Sequence, residues 1–237
     1  MTHPGIANIF TRVLRIEIDS GALATAFTIE VGEKQYLVTA RHVLPDQGPH
    51  KLKALGHTVE FVFEGTPVPG IPQNVDIAVF ALPEAVTPQF PLPATLTGMT
   101  YAHDVYFYGY PYGLSSTAAG AERLPLVKRA LMSAMLHDNG AHILYLDGFN
   151  NPGFSGGPVT FVPHDKGQLH VGAVISGYRS DLLEVKDAKS AEAIGALVEA
   201  NTGIVVAYSI DHAVAAIEGR PAEIQPPPGG DSPAPVS

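Results

Sequence analysis

The chain contains no cysteine, so a disulfide framework, a thiolate metal site and a cysteine nucleophile are all excluded. Small secreted domains often rely on disulfides, and their absence here predicts a cytoplasmic location. Residues 1–18 lack a basic stretch followed by an apolar run, so no signal peptide is predicted. No segment approaches the roughly 18 consecutive apolar residues of a transmembrane helix, and no membrane partner is expected.

Basic residues are scarce, with 14 Lys and Arg against 23 Asp and Glu and a formal net charge of −9. A nucleic-acid binder needs a basic face that replaces the counterions on phosphates, so nucleic acid is not expected as a partner. Metal motifs are also lacking, because the 10 histidines form no HExxH motif. We predict no metal and no cofactor.

What the sequence does contain is a series of short apolar or alternating segments, rich in β-branched and aromatic residues. Gly, Pro, Asn and Asp separate them, which predicts an all-β barrel or sandwich rather than a parallel α/β sheet. Apolar residues at helical spacing predict helices over 190–200 and 209–218. The predicted strands are residues 12–18, 25–31, 35–40, 59–64, 75–82, 104–110, 142–148, 158–162, 170–177 and 203–208.

A Pro-rich stretch over residues 82–98 separates two blocks of predicted strands. We therefore predict a first domain over residues 1–95 and a second over residues 96–219. Residues 220–237 contain six prolines and cannot join a sheet or helix core, which predicts a disordered tail.

The segment NPGFSGGP, residues 151–158, surrounds Ser155 with glycines. A serine hydroxyl is a weak nucleophile that needs a neighbouring base and donors for a developing oxyanion. Glycines allow the tight turn that would direct the amides of Gly153 and Ser155 into one small cavity. A plain Gly-rich hairpin loop is the alternative interpretation of this segment alone.

The same residues fit G-x-S-x-G, the nucleophile elbow of α/β-hydrolases. That elbow needs a helix after the serine, whereas Pro158 and the apolar VTFV that begins one residue later favour a strand. It also needs an acid and then a histidine downstream of the serine. The candidates for these roles are Asp187 and His212, and the sequence around them supports neither.

Two further residues could complete a nucleophilic site. In YLVTARHVL, residues 36–44, His42 lies at the end of a predicted apolar strand. In NVDIAVFAL, residues 74–82, Asp76 lies at the start of another. Each residue alone is more often structural. Together they give the order His, Asp, Ser, with the first two before the Pro-rich stretch and Ser155 after it.

These contexts resemble the chymotrypsin-like (trypsin-fold) serine proteases, above all the HtrA/Deg type and the related disulfide-free trypsin-like peptidase domains. The resemblance covers roughly residues 20–218. It rests on four motifs: TARHV (39–43), VDIAV (75–79), YGYPYG (108–113) and DGFNNPGFSGGPV (147–159).

The resemblance implies two six-stranded antiparallel β-barrels with a C-terminal helix. It also implies a serine endopeptidase acting on protein or peptide substrates through an acyl-enzyme. Ser155 would be the nucleophile, His42 the general base and Asp76 the residue that orients it. The amides of Gly153 and Ser155 would form the oxyanion hole. The edge strand Ile175, Ser176 and Gly177 would pair with the substrate backbone.

The chain departs from the family pattern around its specificity pocket. Phe154 stands where digestive proteases carry an aspartate that pairs with a cleaved N-terminus, so activation by such cleavage is not expected. Phe149 occupies the position of the pocket base and is not acidic, which predicts a small or medium apolar P1 residue. Residues 177–203 are longer than usual; they either shape the substrate site or form a surface insertion.

Two other functions remain alternatives at this point. An esterase or acyl hydrolase would use the same triad, because the chemistry does not discriminate an ester from an amide. A protease-like binding module, or pseudoprotease, would not need the hydroxyl of Ser155. The sequence also leaves a requirement for an activating partner protein undecided, and it predicts no oligomeric state.

Overall fold

The computed structural model describes residues 5–18, 21–45, 48–118, 121–164 and 167–222. Within these ranges the chain is mostly β, with two six-stranded antiparallel sheets and a C-terminal helix. The predicted fold class is thereby confirmed. Most of the predicted tail, residues 223–237, lies outside the described residues, so its disorder stays a prediction.

The first half of the chain forms a six-stranded antiparallel sheet. Its strands are β1 (Val13–Ile18), β2 (Leu23–Val31), β3 (Lys34–Thr39), β4 (His50–Leu55), β5 (Glu60–Gly65) and β6 (Ala78–Ala81). The strand order is β5–β4–β1–β2–β3–β6. Both end strands are fully described and no ladder joins β5 to β6, so this sheet is a half-barrel.

The second half forms a closed barrel with the strand order β10–β11–β14–β13–β12–β7, and β8 pairs with β9 in a separate two-stranded ribbon. The bounds are β7 (Asp104–Gly109), β8 (Ser116–Ala118), β9 (Ala121–Leu124), β10 (Leu126–Asp138), β11 (Ala141–Asp147), β12 (Pro158–Phe161), β13 (His170–Lys186) and β14 (Ala193–Ser209).

Two helices lie at the ends of the described chain, α1 (Gly5–Arg12) and α2 (Asp211–Glu218). The second confirms the helix predicted over residues 209–218, and it ends at Gly219 in the left-handed conformation (φ 66°) that glycine tolerates. Neither helix has the length and apolar character needed to cross a membrane.

The two halves share one buried core. Val13 and Phe27 from the first sheet belong to the same apolar cluster as Tyr108 and Val174 from the barrel, and all four are nearly or fully inaccessible. Burial of apolar surface on this scale holds the two halves in a fixed relation. Residues from both halves can therefore meet with defined geometry.

The segment between the halves runs from the end of β6 at Ala81 to the start of β7 at Asp104. It follows the barrel surface, where Thr95 N donates to Val171 O at 2.9 Å and Val171 N donates to Pro93 O at 2.8 Å. The domain boundary between residues 95 and 96 falls inside this segment and stays a prediction.

The helix predicted over residues 190–200 is wrong, because Ala193–Ser209 form β14. Its apolar residues Ile194, Leu197 and Val198 do not cover a core; they are 59%, 65% and 51% exposed. They belong to a long hairpin in which β13 and β14 continue beyond the barrel. We call residues 178–202 the arm.

Candidate active site

Ser155 lies in the loop between β11 and β12, at the junction of the two halves. Its carbonyl accepts a hydrogen bond from Thr25 N on β2 at 3.0 Å, and the next amide, Gly156 N, donates to Ile175 O on β13 at 2.7 Å. The serine is thus held between the first sheet and the barrel.

Two glycines give this loop its shape. Gly153 has φ 102°, and a Cβ there would lie 2.5 Å from Tyr110 O. Gly156 has φ 83°, and a Cβ there would lie 2.1 Å from Thr25 O. Real Cβ atoms do not approach a carbonyl oxygen this closely, and a positive φ strains any other residue. Both positions therefore require glycine.

His42 and Asp76 form a close pair in the first half. His42 sits in a short 3-10 turn after β3, and Asp76 lies just before β6. The two are joined twice: His42 N donates to Asp76 Oδ1 at 2.8 Å, and His42 Nδ1 lies 2.6 Å from Asp76 Oδ2. The hydrogen bond to Asp76 raises the pKa of His42 above its ordinary value, although burial opposes this.

Ser176 of β13 adds a third contact to this carboxylate. Its hydroxyl donates to Asp76 Oδ2 at 2.5 Å. Burial would raise the pKa of Asp76, but the hydrogen bonds from His42 and Ser176 lower it below its ordinary value. Asp76 is therefore ionised at neutral pH and bound from both halves of the molecule.

Ser155 and His42 are not directly joined in this conformation. Ser155 Oγ donates to the carbonyl oxygen of Ser176 at 2.9 Å, and within the described chain it has no hydrogen bond to His42. Ser176 therefore contacts both parts of the site, Asp76 through its hydroxyl and Ser155 through its carbonyl. The side chain of His42 is 50% exposed, so a substrate can reach it.

The amides of Gly153 and Ser155 are available to an acceptor. Neither donates to another group among the described residues. Pro152 O accepts from Tyr112 N at 3.0 Å, and because N–H and C=O point in opposite directions across a trans peptide, Gly153 N–H points away from Tyr112. A buried hydroxyl, Thr25 Oγ1, fixes the following carbonyl by donating to Gly153 O at 2.7 Å.

A family profile decides what this arrangement belongs to. The profile described as "Trypsin-like peptidase domain" matches residues 24–169, more than half of the chain, and this range includes His42, Asp76 and Ser155. The chain belongs to this family. It is therefore a trypsin-like peptidase, a hydrolase of the serine protease class.

Solved structures of several proteases have the same fold. A serine-to-alanine mutant of Rv3671c from M. tuberculosis H37Rv, in its inactive form, is 18% identical with a TM-score of 0.60, covering 95% of this chain and 93% of that one. The HtrA-type protease AlgW with tripeptide is 17% identical with a TM-score of 0.60, covering 91% of this chain and 62% of that one.

The serine endoprotease from Yersinia pestis is also 17% identical, with a TM-score of 0.59, covering 92% of this chain and 66% of that one. The peptidase thus spans less than two thirds of AlgW and of the Yersinia protein. No curated protein matches this chain by sequence.

Phe149, the predicted base of the specificity pocket, is 55% exposed in this peptidase. Its ring lies 5.5 Å from Lys128 Nζ, within cation–π range. Lys128 also donates to Phe149 O at 2.6 Å and to Asn151 Oδ1 at 2.5 Å. Sequence reasoning missed Lys128, because nothing near it in the sequence links it to residues 149–151.

Asn150 is a second residue that sequence reasoning missed. It is buried, and its side-chain amide donates to Gly177 O at 3.0 Å while its side-chain oxygen accepts from Asn151 N at 2.8 Å. Asn150 O accepts from Asn201 Nδ2 at 2.8 Å. Asn150 therefore connects the loop before Ser155 to β13 and to β14.

Ile175 is the first residue of the predicted substrate-binding edge, Ile175, Ser176 and Gly177, and its backbone groups already have partners. Ile175 N donates to Gly157 O at 2.8 Å and Ile175 O accepts from Gly156 N, so both backbone groups of Ile175 bind the loop of Ser155. Substrate pairing through this edge remains a prediction for Ser176 and Gly177. Among the described residues, no group of three or more acidic or histidine side chains is arranged to hold a metal ion.

Proposed function

We propose that this peptidase is a serine endopeptidase in which Ser155 is the nucleophile, His42 the general base and Asp76 the residue that orients His42. One observation carries the proposal: Ser176 contacts Asp76 through its hydroxyl and Ser155 through its carbonyl, and His42 is bound to the same carboxylate. The double contact between His42 and Asp76 supports the orienting role.

The hydrogen bond of Ser155 to Ser176 O defines a resting state. A substrate strand that pairs with β13 brings a backbone N–H to Ser176 O, where it competes with the Ser155 hydroxyl. The displaced hydroxyl is then free to turn to His42 Nε2. Substrate binding thus assembles the reactive pair, a form of induced fit.

The reaction follows from this assembly. Ser155 Oγ attacks the scissile carbonyl carbon as its proton passes to His42 Nε2, and the amides of Gly153 and Ser155 bind the resulting oxyanion. His42 gives the proton to the leaving amine, which yields the acyl-enzyme. Water then attacks with its proton passing to His42, and Ser155 is restored. Asp76 remains ionised and stabilises the imidazolium throughout.

For specificity, we retain a small or medium apolar P1 residue. The absence of an acidic group at Phe149 supports this, and so does Lys128, whose ammonium beside Phe149 disfavours a basic P1 side chain. A peptide library dominated by cleavage after Lys or Arg would contradict it. The lack of cysteine remains the ground for the predicted cytoplasmic location.

Labelling with a fluorophosphonate probe tests the proposal. Wild type should label, while Ser155→Ala and His42→Ala should not; Ser133→Ala, an exposed serine on β10, is the matched control and should label fully. Casein hydrolysis by unlabelled wild type separates an endopeptidase from an esterase, which would cleave small esters only.

If the pure wild-type protein fails to label, the hypothesis that it is active without a partner is contradicted. The resting hydrogen bond of Ser155 favours one explanation in that case, a site that requires an activating partner. Recovery of labelling in cell lysate would indicate such a partner. Continued absence of labelling would indicate a binding module with a protease fold.

A further inference from the structure

The arm, residues 178–202, is a two-stranded ribbon with no covering partner among the described residues. Leu182, Leu183, Ile194, Leu197 and Val198 are each at least 49% exposed. A ribbon of two strands is marginally stable in water unless a third strand or a packing partner covers it. Its turn is nevertheless well defined, since Asp187 Oδ1 accepts from Lys189 N and Ser190 N at 2.9 Å each.

One edge of the arm is free and continuous with the active site. Within the ranges that the structure describes, β13 pairs with β12 only over Pro158–Phe161, opposite His170–Val174, and beyond Gly177 it pairs with β14 alone. The strand that contacts Ser155 and Asp76 through Ser176 therefore runs on as an unpaired edge to Lys186. At about 3.3 Å per residue, this edge extends roughly 26 Å past Tyr178.

One face of the arm combines apolar and acidic side chains. Leu182 lies opposite Glu199, and Glu184 lies opposite Leu197, so the two carboxylates stand on one diagonal and the two leucines on the other. Like charges on a diagonal repel each other. None of the ion pairs in the described chain involves Glu184 or Glu199.

The charges of the arm indicate which kind of molecule binds to this face. The arm has five acidic and three basic residues, and the whole chain has a formal net charge of −9, so a second copy would bring more negative charge to the same face. A strand that carries an apolar and a basic residue two positions apart, and therefore on one face, would instead cover Leu182 and pair with Glu184. Both the apolar and the charged contacts would then be satisfied.

We propose that the arm binds the substrate itself, by adding the extended segment on the N-terminal side of the scissile bond as a strand along β13. The inference rests on the proposed function, since the occupant is the substrate. In antiparallel pairing with P1 at Ser176, the residues that meet Leu182 and Glu184 lie about six to eight positions before P1. The preferred segment carries leucine-like and lysine-like residues there.

Binding to full-length Ser155→Ala, measured by fluorescence anisotropy, tests the arm without requiring catalysis. A short peptide covers four residues on each side of the scissile bond. A long peptide adds eight N-terminal residues in which leucine and lysine lie two positions apart, and so on one face, at the positions that meet Leu182 and Glu184. We expect the long peptide to bind at least tenfold more tightly. Replacing its lysines by glutamates should remove most of this gain.

Two double variants on the Ser155→Ala background locate the contact. Leu182→Ser with Glu184→Gln changes β13, at the free edge, while Leu197→Ser with Glu199→Gln changes the same chemistry on β14, one strand further away. The first should reduce the ratio of long-peptide to short-peptide affinity to about one, and the second should largely preserve it. Val62→Ser, an exposed position on β5, is the surface control.

Three results would overturn the inference. They are equal affinities for the long and short peptides, a ratio that survives Leu182→Ser with Glu184→Gln, and a dimer in sedimentation equilibrium that the same substitutions abolish. The last would identify a second copy as the occupant. If wild type hydrolyses neither peptide while Ser155→Ala keeps the affinity ratio, the proposed function fails and the binding property of the arm stands.

Discussion

The Thr25 hydroxyl on β2 donates to the carbonyl of Gly153 at 2.7 Å, joining residues 128 positions apart in the chain. The same hydroxyl accepts from Tyr110 N at 3.1 Å, and the Thr25 side chain is fully buried. Through these bonds the first sheet sets the conformation of the loop that carries Ser155. Thr25 is a positioning residue, because it acts on the reacting atoms only through Gly153.

Thr25→Val tests this positioning role with a side chain of nearly the same shape. It leaves two buried backbone groups, Gly153 O and Tyr110 N, without their partner, at a cost of about 1–3 kcal/mol in folding free energy. We expect kcat to fall at least tenfold with little change in KM, and Thr25→Ser to restore it. A loss of stability with unchanged kcat would reduce Thr25 to a structural residue.

Asp76→Asn should separate orientation from proton transfer. The amide no longer stabilises an imidazolium or selects the correct tautomer, so kcat should fall by about 10⁴. Because the hydrogen bond to Asp76 is the main cause of the raised pKa of His42, that pKa should fall in the variant. In wild type, kcat/KM should rise with pH through a His42 pKa above 6.5, since the base must be neutral.

NMR titration of the His42 ring in wild type and Asp76→Asn measures this shift directly. Asp104→Asn is the control, since Asp104 forms an exposed ion pair with Arg129 on the barrel surface. An unchanged His42 pKa in Asp76→Asn would mean that Asp76 does not govern the imidazole in solution.

The tight turns around Ser155 and the positions of His42 after β3 and of Asp76 before β6 could be predicted from the sequence, because they depend on local patterns. The glycines around Ser155 are needed for backbone geometry, and such requirements are written into neighbouring residues. The side-chain contact from Ser176 to Asp76 was not foreseeable in the same way. It spans 100 positions and depends on how the barrel packs against the first sheet.

The incorrect helix over residues 190–200 has a specific cause. Ile194, Leu197 and Val198 have helical spacing, but they lie in β14, where Leu197 and Val198 pair with β13 across a turn in which Ala191 has φ 57°. Pairing between the two strands outweighs the helical periodicity of the local sequence. The opposite error occurred at β10, Leu126–Asp138, whose Lys, Arg, Met and Ala residues do not resemble a strand although alternate positions are buried in its first half.

A histidine far from the proposed nucleophile should control stability in acid. His212 of α2 is buried, and its Nε2 accepts from His142 N at 3.1 Å. Burial, followed by the nearby His142 and His137, lowers the pKa of His212 to about 4. Between about pH 6.5 and 4 the unfolded chain binds the proton more readily than the folded one, so stability is lost as pH falls through this window.

The His212 contribution amounts to roughly 3 kcal/mol at full effect. Urea denaturation at pH 7, 6, 5 and 4.5 should show wild type losing stability, and His212→Gln, which can retain an acceptor for His142 N, should show a flatter profile. His164→Gln, at an exposed position, should keep the wild-type slope. Parallel profiles for wild type and His212→Gln would exclude His212 as the titrating group.

Lys128→Met tests how the loop before Ser155 is held. The substitution keeps the apolar stem but removes two charge-assisted hydrogen bonds, to Phe149 O and Asn151 Oδ1, which should cost about 1–3 kcal/mol in folding free energy. For a chain of this size, Tm should fall by roughly 2–4 °C for each kcal/mol. Because the loop leads into Gly153 and Ser155, kcat/KM should also fall.

The neighbouring Arg129→Met is the matched control for Lys128→Met. Arg129 forms an ion pair with Asp104 in which the side chains are 64% and 52% exposed, and such surface pairs contribute little. Its Tm and kcat/KM should stay close to wild type in differential scanning fluorimetry and peptide assays. If both variants lose activity equally, the effect comes from reduced positive charge on β10. A loss confined to Lys128→Met places the cause in its contacts with residues 149–151.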